Sequence, residues 1–145
     1  MIERKCSCEM GMHHAPLEKY IIESGAVNRL PELLRDYNKV YMVCDENTYR
    51  VLGERAEQIL KSVGKFSHKH ILKGDVLPDA RNIGDVLIHL NDPKADSDIF
   101  KYSPLPDFIL AVGSGVVNDV CRVVSYRLGL PYGIAGTAPS MDGYA

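Results

Sequence analysis

The feature that most limits the fold of this chain is an apolar strand, a pair of glycines and a helix in direct succession. Residues 107–112 read Asp-Phe-Ile-Leu-Ala-Val, which predicts a strand covered on both faces. Gly113-Ser114-Gly115 then breaks the apolar run, and residues 116–128 continue as a helix that Gly129 ends. A strand joined to a helix by so short a turn is typical of layered α/β domains.

The same alternation of strand and helix runs through the chain from Pro16 onward. Further strands are predicted at residues 18–23, 39–44, 68–73 and 131–135, and further helices at 25–37, 47–63 and 79–90. Asn47 or Thr48 is the predicted N-cap of the middle helix. Because crossovers between parallel strands are right-handed, the pattern predicts an α/β fold: a Rossmann-like, doubly wound, mostly parallel sheet with helices on both faces.

The glycine turn has the properties of an anion site. It precedes a helix, whose N-terminus offers N–H groups and about half a positive charge, so a pyrophosphate fits there. A tight turn without a ligand is the alternative. The usual dinucleotide fingerprint is incomplete, because Asn118 stands where its third glycine belongs and the acidic candidate, Asp45, precedes the loop. Both regions follow strands, at the sheet edge where such folds bind ligands. A nucleotide-binding family other than the standard Rossmann dehydrogenases is therefore indicated.

Composition and charge restrict the class of protein. The 145 residues are 46% hydrophobic and 25% charged, which is ordinary for a globular domain. The net charge of −2 gives no basic field for nucleic acid. No apolar run approaches the roughly 20 residues that span a bilayer, and the N-terminus lacks the apolar stretch of a signal peptide. The sequence thus predicts a cytoplasmic protein that binds neither nucleic acid nor membrane.

The first fifteen residues differ in composition from the rest of the chain. They contain Cys6, Cys8, His13 and His14, whose thiolate and imidazole groups are suitable zinc ligands. The single residue between the two cysteines is fewer than structural zinc sites favour. An accessory metal site and a flexible polar tail both remain open.

The other cysteines and histidines look structural. Cys44 and Cys121 lie inside apolar runs and are predicted to be small buried core residues. His68, His70 and His89 occur singly, so they are predicted to lie on surface strands or helix faces rather than to bind a metal.

Three stretches carry a resemblance to a known family. They are Val43-Cys44-Asp45-Glu46-Asn47-Thr48-Tyr49, Ala111-Val112-Gly113-Ser114-Gly115-Val116-Val117-Asn118-Asp119 and Thr137-Ala138-Pro139-Ser140-Met141-Asp142-Gly143-Tyr144-Ala145. Together they resemble the sn-glycerol-1-phosphate dehydrogenase branch of the superfamily of iron-containing alcohol dehydrogenases, glycerol dehydrogenases and dehydroquinate synthases. The third stretch is the most specific for that branch.

The resemblance assigns roles to particular residues. Contacts to NAD or NADP fall on Gly113, Ser114, Gly115, Val116 and Val117 at the pyrophosphate, and on Thr137, Ala138, Pro139 and Ser140 towards the nicotinamide. Asp45 matches the acidic position near the adenosine ribose, which would favour NAD over NADP, although capping a helix is an equally open role for it. Asp142 matches a position that contacts the polyol substrate.

The resemblance also implies a reaction. Residues 16–145 would be the NAD(P)-binding N-terminal domain of a metal-assisted dehydrogenase that interconverts sn-glycerol 1-phosphate and dihydroxyacetone phosphate, as a homo-oligomer. Its divalent metal, usually zinc, is held by an aspartate and two histidines of a helical domain beyond Ala145. This chain is therefore expected to hold no catalytic residue or active-site metal ligand and to have no turnover alone. A glycerol dehydrogenase-like enzyme and a non-catalytic nucleotide-binding module are the alternatives.

Overall fold

The computed structural model describes residues 2–5, 7–8, 11–15, 18–90 and 105–139. Its strands are β1 (Ile2–Lys5), β2 (Met12–Ala15), β3 (Val40–Asp45), β4 (Phe66–Leu72), β5 (Phe108–Gly113) and β6 (Tyr132–Gly136). Its α-helices are α1 (Leu30–Leu33), α2 (Glu46–Thr48), α3 (Glu54–Ser62), α4 (Ala80–Ile88) and α5 (Gly115–Leu128). A 3-10 turn, Ala26–Arg29, precedes α1, and a π-helical turn, Tyr49–Gly53, joins α2 to α3.

Four strands form a parallel sheet in the order β4-β3-β5-β6. The chain passes from β3 outward to β4 and then returns across β3 to β5, so the direction of winding changes between β3 and β5. One face packs against α1 and α3 through Met42, Cys44 and Leu110. The other packs against α4 and α5 through Tyr41 and Val43. The predicted doubly wound fold is confirmed.

The two central strands are buried because both of their faces are covered. Residues 40–44 have no exposed surface, and every residue of β5 is buried. At the start of these strands the carboxylate of Asp107 accepts hydrogen bonds from the backbone N–H groups of Asn38 and Lys39, each at 2.8 Å. The Asp107 carboxylate thereby aligns the beginning of β5 with the beginning of β3.

The predicted cysteine roles are confirmed. Cys44 and Cys121 are fully buried. Burial raises the pKa of the Cys44 thiol to about 12 and also raises the pKa of Cys121, so both thiols stay protonated and unreactive.

Among the described helices, none is long and apolar enough to cross a membrane.

Two predicted elements differ from the structure. Residues 18–23 form no strand, and Ile22 is 92% exposed, so its side chain does not pack against the sheet. The helix predicted at 25–37 is reduced to the 3-10 turn and the single turn of α1. Pro31 lies at the start of α1, and a proline ring collides with the carbonyl four residues earlier, so the α-helix cannot extend back from it.

A small hairpin occupies part of the first fifteen residues. β1 and β2 pair antiparallel, from Ile2 opposite Ala15 to Lys5 opposite Met12. A flexible polar tail was one of two alternatives that the sequence left open for this segment, and the described part of its backbone has paired strands. The boundary between a region at 1–15 and a domain at 16–145 stays a prediction.

Candidate functional site

The candidate site lies where the winding of the sheet reverses. Cys44 pairs with Val112 near the ends of β3 and β5, so the residues that follow these strands emerge side by side. Asp45 is the last residue of β3, and Ser114 follows β5. In open parallel sheets, ligands bind outside the carboxyl ends of the strands at such a point. The topology therefore brings together the two regions that the sequence analysis selected.

The N-terminus of α5 points out of this edge. Ser114 is its N-cap, with extended backbone angles (φ −97°, ψ −162°), and the helical ladder begins with Asn118 N–H donating to the Ser114 carbonyl at 3.1 Å. Within the described chain the Ser114 side chain makes no capping hydrogen bond. Ser114 and Val116 are half-buried, whereas Gly115 and Val117 are buried. Helix α5 has 14 residues, so its dipole adds positive potential at this end.

Gly113 is required by close packing and not by a left-handed turn. Positive φ angles occur at other glycines, but Gly113 and Gly115 are not among them. A Cβ built on Gly113 would lie 2.7 Å from both Cβ and Cγ2 of Val117. The glycine at 113 instead lets the first turn of α5 rest directly on the end of β5.

Asp45 caps the helix that follows it. Its Oδ1 accepts hydrogen bonds from the N–H groups of Asn47 and Thr48, each at 2.8 Å, and its own N–H donates to Thr48 Oγ1 at 3.0 Å. This reciprocal pair is a capping box, and it corrects the prediction that Asn47 or Thr48 is the cap. The capping interpretation of Asp45 is confirmed. Because both bonds go to a single oxygen, capping and a ribose contact through the other oxygen are compatible.

The end of β6 completes the edge beside the glycine turn. Gly136 pairs with Gly113, and the N–H of Thr137 donates to the Gly113 carbonyl at 3.0 Å. Thr137 is half-buried, while Ala138 and Pro139 are exposed. This strand therefore delivers the second predicted cofactor stretch to the same place as the first. Ser140 and Asp142 lie outside the described residues.

A buried ionic cluster, not predicted from sequence, supports the chain just after Asp45. Glu57 of α3, whose side chain is only 9% exposed, accepts hydrogen bonds from Lys61 at 2.6 Å, Lys69 at 2.5 Å and Tyr49 at 2.9 Å. Burial raises the pKa of Glu57, but these three hydrogen bonds outweigh it and lower the pKa to about 2. The cluster links the π-helical turn to α3 and β4.

The N-terminal cysteine and histidine group is partly described. Cys8 is exposed, and the backbone of His13 and His14 lies in β2. Cys6 lies outside the described residues. A metal site at these four residues stays a prediction.

These features define an α/β domain that presents a helix N-terminus and an acidic residue at the reversal point of a parallel sheet. The chain belongs to the iron-containing alcohol dehydrogenase family, whose sequence profile, described as "Iron-containing alcohol dehydrogenase", matches residues 21–145.

Similar proteins agree with this assignment. The chain is 34% identical to glycerol-1-phosphate dehydrogenase [NAD(P)+] of Halalkalibacterium halodurans, covering 94% of this chain and 33% of that protein. It is 31% identical to the Bacillus subtilis protein of the same name, covering 88% of this chain and 31% of that protein. The chain thus spans about a third of the length of these relatives. The crystal structure of glycerol dehydrogenase from Schizosaccharomyces pombe shares the fold, with a TM-score of 0.64 at 16% identity over 81% of this chain and 27% of that one.

Proposed function

We propose that this chain is the nucleotide-binding domain of an NAD(P)-dependent, metal-assisted dehydrogenase that interconverts sn-glycerol 1-phosphate and dihydroxyacetone phosphate. The observation that carries the proposal is the strand order, which brings Asp45 and the N-terminus of α5 to one crevice. The names of the curated relatives, identical at 31–34%, supply the substrate and the cofactor pair.

The cofactor pyrophosphate would lie on the first turn of α5. The backbone amides of residues 114–117 and the helix dipole both favour a negative charge there. Gly113 carries no Cβ that would push this turn off the end of β5. Bulk at the turn should therefore disturb binding more than a change of charge elsewhere on the domain.

The two ends of the cofactor would extend along the sheet edge. Asp45, at the end of β3, would accept hydrogen bonds from the adenosine ribose and repel a 2′-phosphate, which favours NAD. Thr137, Ala138 and Pro139, tied to Gly113 through the Thr137 amide, would face the nicotinamide side. Ser140 as a further cofactor contact and Asp142 as the substrate contact complete the proposal.

The residues proposed here for the cofactor and the substrate do not include ligands of the divalent metal that the resemblance implies. The chemistry that a divalent metal such as zinc would supply is a more acidic substrate hydroxyl during hydride transfer to the nicotinamide. The role left to the residues described here is to bind and orient the dinucleotide. A cytoplasmic location and homo-oligomerisation are part of the proposal.

Glycerol dehydrogenase activity is the alternative within the superfamily. The solved glycerol dehydrogenase supports the fold alone, whereas the curated relatives favour a phosphorylated substrate. Comparing glycerol 1-phosphate with glycerol as substrates of a full-length protein separates the two.

Calorimetric titration of NAD and NADP into the chain tests the binding site. We expect the unaltered chain to bind the cofactor. Gly115→Val should lower the affinity at least about tenfold, because the bulk added at the turn would weaken a charge-assisted hydrogen bond to the pyrophosphate, and such a bond contributes about 1.5–3 kcal/mol. Gly84→Ala, a substitution within α4, is the matched control, since an added Cβ there meets no atom within 4 Å. Unchanged affinity in a folded Gly115→Val protein would place the cofactor elsewhere.

Two substitutions at Asp45 separate its capping role from its proposed cofactor role. Asp45→Ser keeps a capping oxygen but removes the charge, so the preference for NAD over NADP should fall about tenfold with little loss of stability. Asp45→Ala should also lower the free energy of unfolding by about 1 kcal/mol. Titrations with both cofactors and urea unfolding measure the two effects. A preference unaltered in Asp45→Ser would restrict Asp45 to capping.

A further inference from the structure

A second cluster of polar side chains lies between β4 and α4, away from the glycine turn. His70 projects from β4, while Asp85 and His89 lie one helical turn apart at the C-terminal end of α4. The Asp85 carboxylate contacts a nitrogen of each ring, with Oδ2 2.7 Å from His70 Nε2 and Oδ1 3.4 Å from His89 Nδ1. One ligand atom from each of the three residues lies within 4.8 Å of the others. His70 and His89, which occur singly in the sequence, therefore meet in the structure, whereas His68, predicted to lie on a surface, is buried.

The contact distances match those of a metal site. Zinc with bonds of 2.0–2.1 Å in tetrahedral geometry separates its ligand atoms by about 3.3 Å. The two nitrogen–oxygen contacts, at 2.7 and 3.4 Å, bracket that value. A single cation among the three groups can therefore replace the hydrogen bond between His70 and Asp85, provided that His89 Nδ1 moves closer. The His89 side chain is 43% exposed and has room to turn.

The surroundings hold the three groups in place and leave them open to solvent. His70 is 13% exposed and stacks on the His89 ring, with the ring centroids 4.3 Å apart. His89 Nδ1 also lies 2.8 Å from the Asp85 carbonyl oxygen, a contact that is given up when Nδ1 turns to the metal. The cluster lines an open cleft with Lys73 and Arg81. These cations lower the affinity of the cleft for a metal and leave it room for an anionic fourth ligand.

We propose that His70, Asp85 and His89 form a metal site. Two imidazoles and one carboxylate suit zinc, cobalt or nickel, whereas magnesium and calcium require oxygen ligands. The bound ion cross-links the edge strand β4 to α4. It therefore stabilises the edge of the sheet opposite to β6 and takes no part in hydride transfer.

Zinc titration of the chain tests the site, with calorimetry and thermal unfolding as the two measurements. The N-terminal ligand candidates are first removed with Cys6→Ser, Cys8→Ser, His13→Gln and His14→Gln, and this background is expected to bind one zinc and to unfold at a higher temperature with zinc present. Adding His89→Gln or Asp85→Asn, both at partly exposed positions, should weaken binding more than about a hundredfold, beyond the loss typical of residues that only orient a ligand.

Two controls give the titration its specificity. Lys73→Gln changes the same cleft without removing a ligand, so zinc affinity should stay the same or rise. Magnesium should produce no heat and no stabilisation. Cobalt bound to the background protein should show an absorption spectrum of nitrogen and oxygen ligation without thiolate bands. Failure of the background to bind zinc, or zinc affinity retained in both His89→Gln and Asp85→Asn, would refute the site.

Discussion

Glu57→Gln is expected to lower the free energy of unfolding at pH 7 by about 1–3 kcal/mol, because buried hydrogen bonds to charged partners are weakened. The carboxylate is buried and holds two lysines and a tyrosine hydroxyl. Removing its charge leaves Lys69 partly buried with no carboxylate partner in the cluster, which costs more than the loss of a surface ion pair. Urea unfolding of both proteins at pH 7 measures the difference.

The same cluster predicts an acid-sensitive contribution to stability. The pKa of Glu57 is lower in the folded chain, so its contribution is complete above about pH 4.5 and is lost as the pH falls towards 2. Glu57→Gln should remove that part of the pH dependence. Glu54→Gln, at an exposed position on the same helix, is the matched control and should change stability by less than about 0.5 kcal/mol. Equal effects of the two substitutions would show that the cluster does not stabilise the fold.

Gly113→Ala is expected to lower stability by about 1–3 kcal/mol and to weaken nucleotide binding. The added Cβ would lie 2.7 Å from Val117 Cβ, which belongs to a stiff, β-branched side chain on α5. The helix must shift to relieve this contact, and its N-terminus moves with it. Urea unfolding and calorimetric titration of NAD follow the two consequences separately.

A glycine in a helix supplies the contrasting substitution. Gly84→Ala meets open space in α4 and should raise stability by about 0.5–1 kcal/mol, because alanine is the better helix former. Nucleotide affinity should not change.

If Gly113→Ala were as stable as the unaltered chain and bound NAD equally well, the packing of α5 on β5 would not be what positions the site.

Much of the fold could be predicted because the relevant signals are local. The apolar runs of β3 and β5, the glycine turn and the amphipathic helices each reside in a short stretch of sequence. The alternation of these elements then implies a parallel sheet. The strand predicted at 18–23 failed for the opposite reason. A strand needs a partner strand to pair with, and the sequence of the segment does not reveal that the described sheet forms without it.

The details of the sites could be predicted less well because they join distant residues. Glu57 and Lys69 come from a helix and a strand, and His70 meets Asp85 only when α4 folds back onto β4. At Asp45 the sequence allowed two roles, and the cap became visible only with the positions of the backbone amides. The chemistry of single residues could be predicted from the sequence, but which residues lie together in space could not.

Backbone amide NMR spectra of the chain during titration with NAD test the proposed binding mode most directly. We expect the largest shifts at Ser114, Gly115, Val116 and Val117, with smaller shifts at Asp45 and little change at His70 in the separate cleft. Saturable binding that leaves the first turn of α5 unperturbed, or that perturbs α4 instead, would contradict the proposal that this helix terminus holds the cofactor.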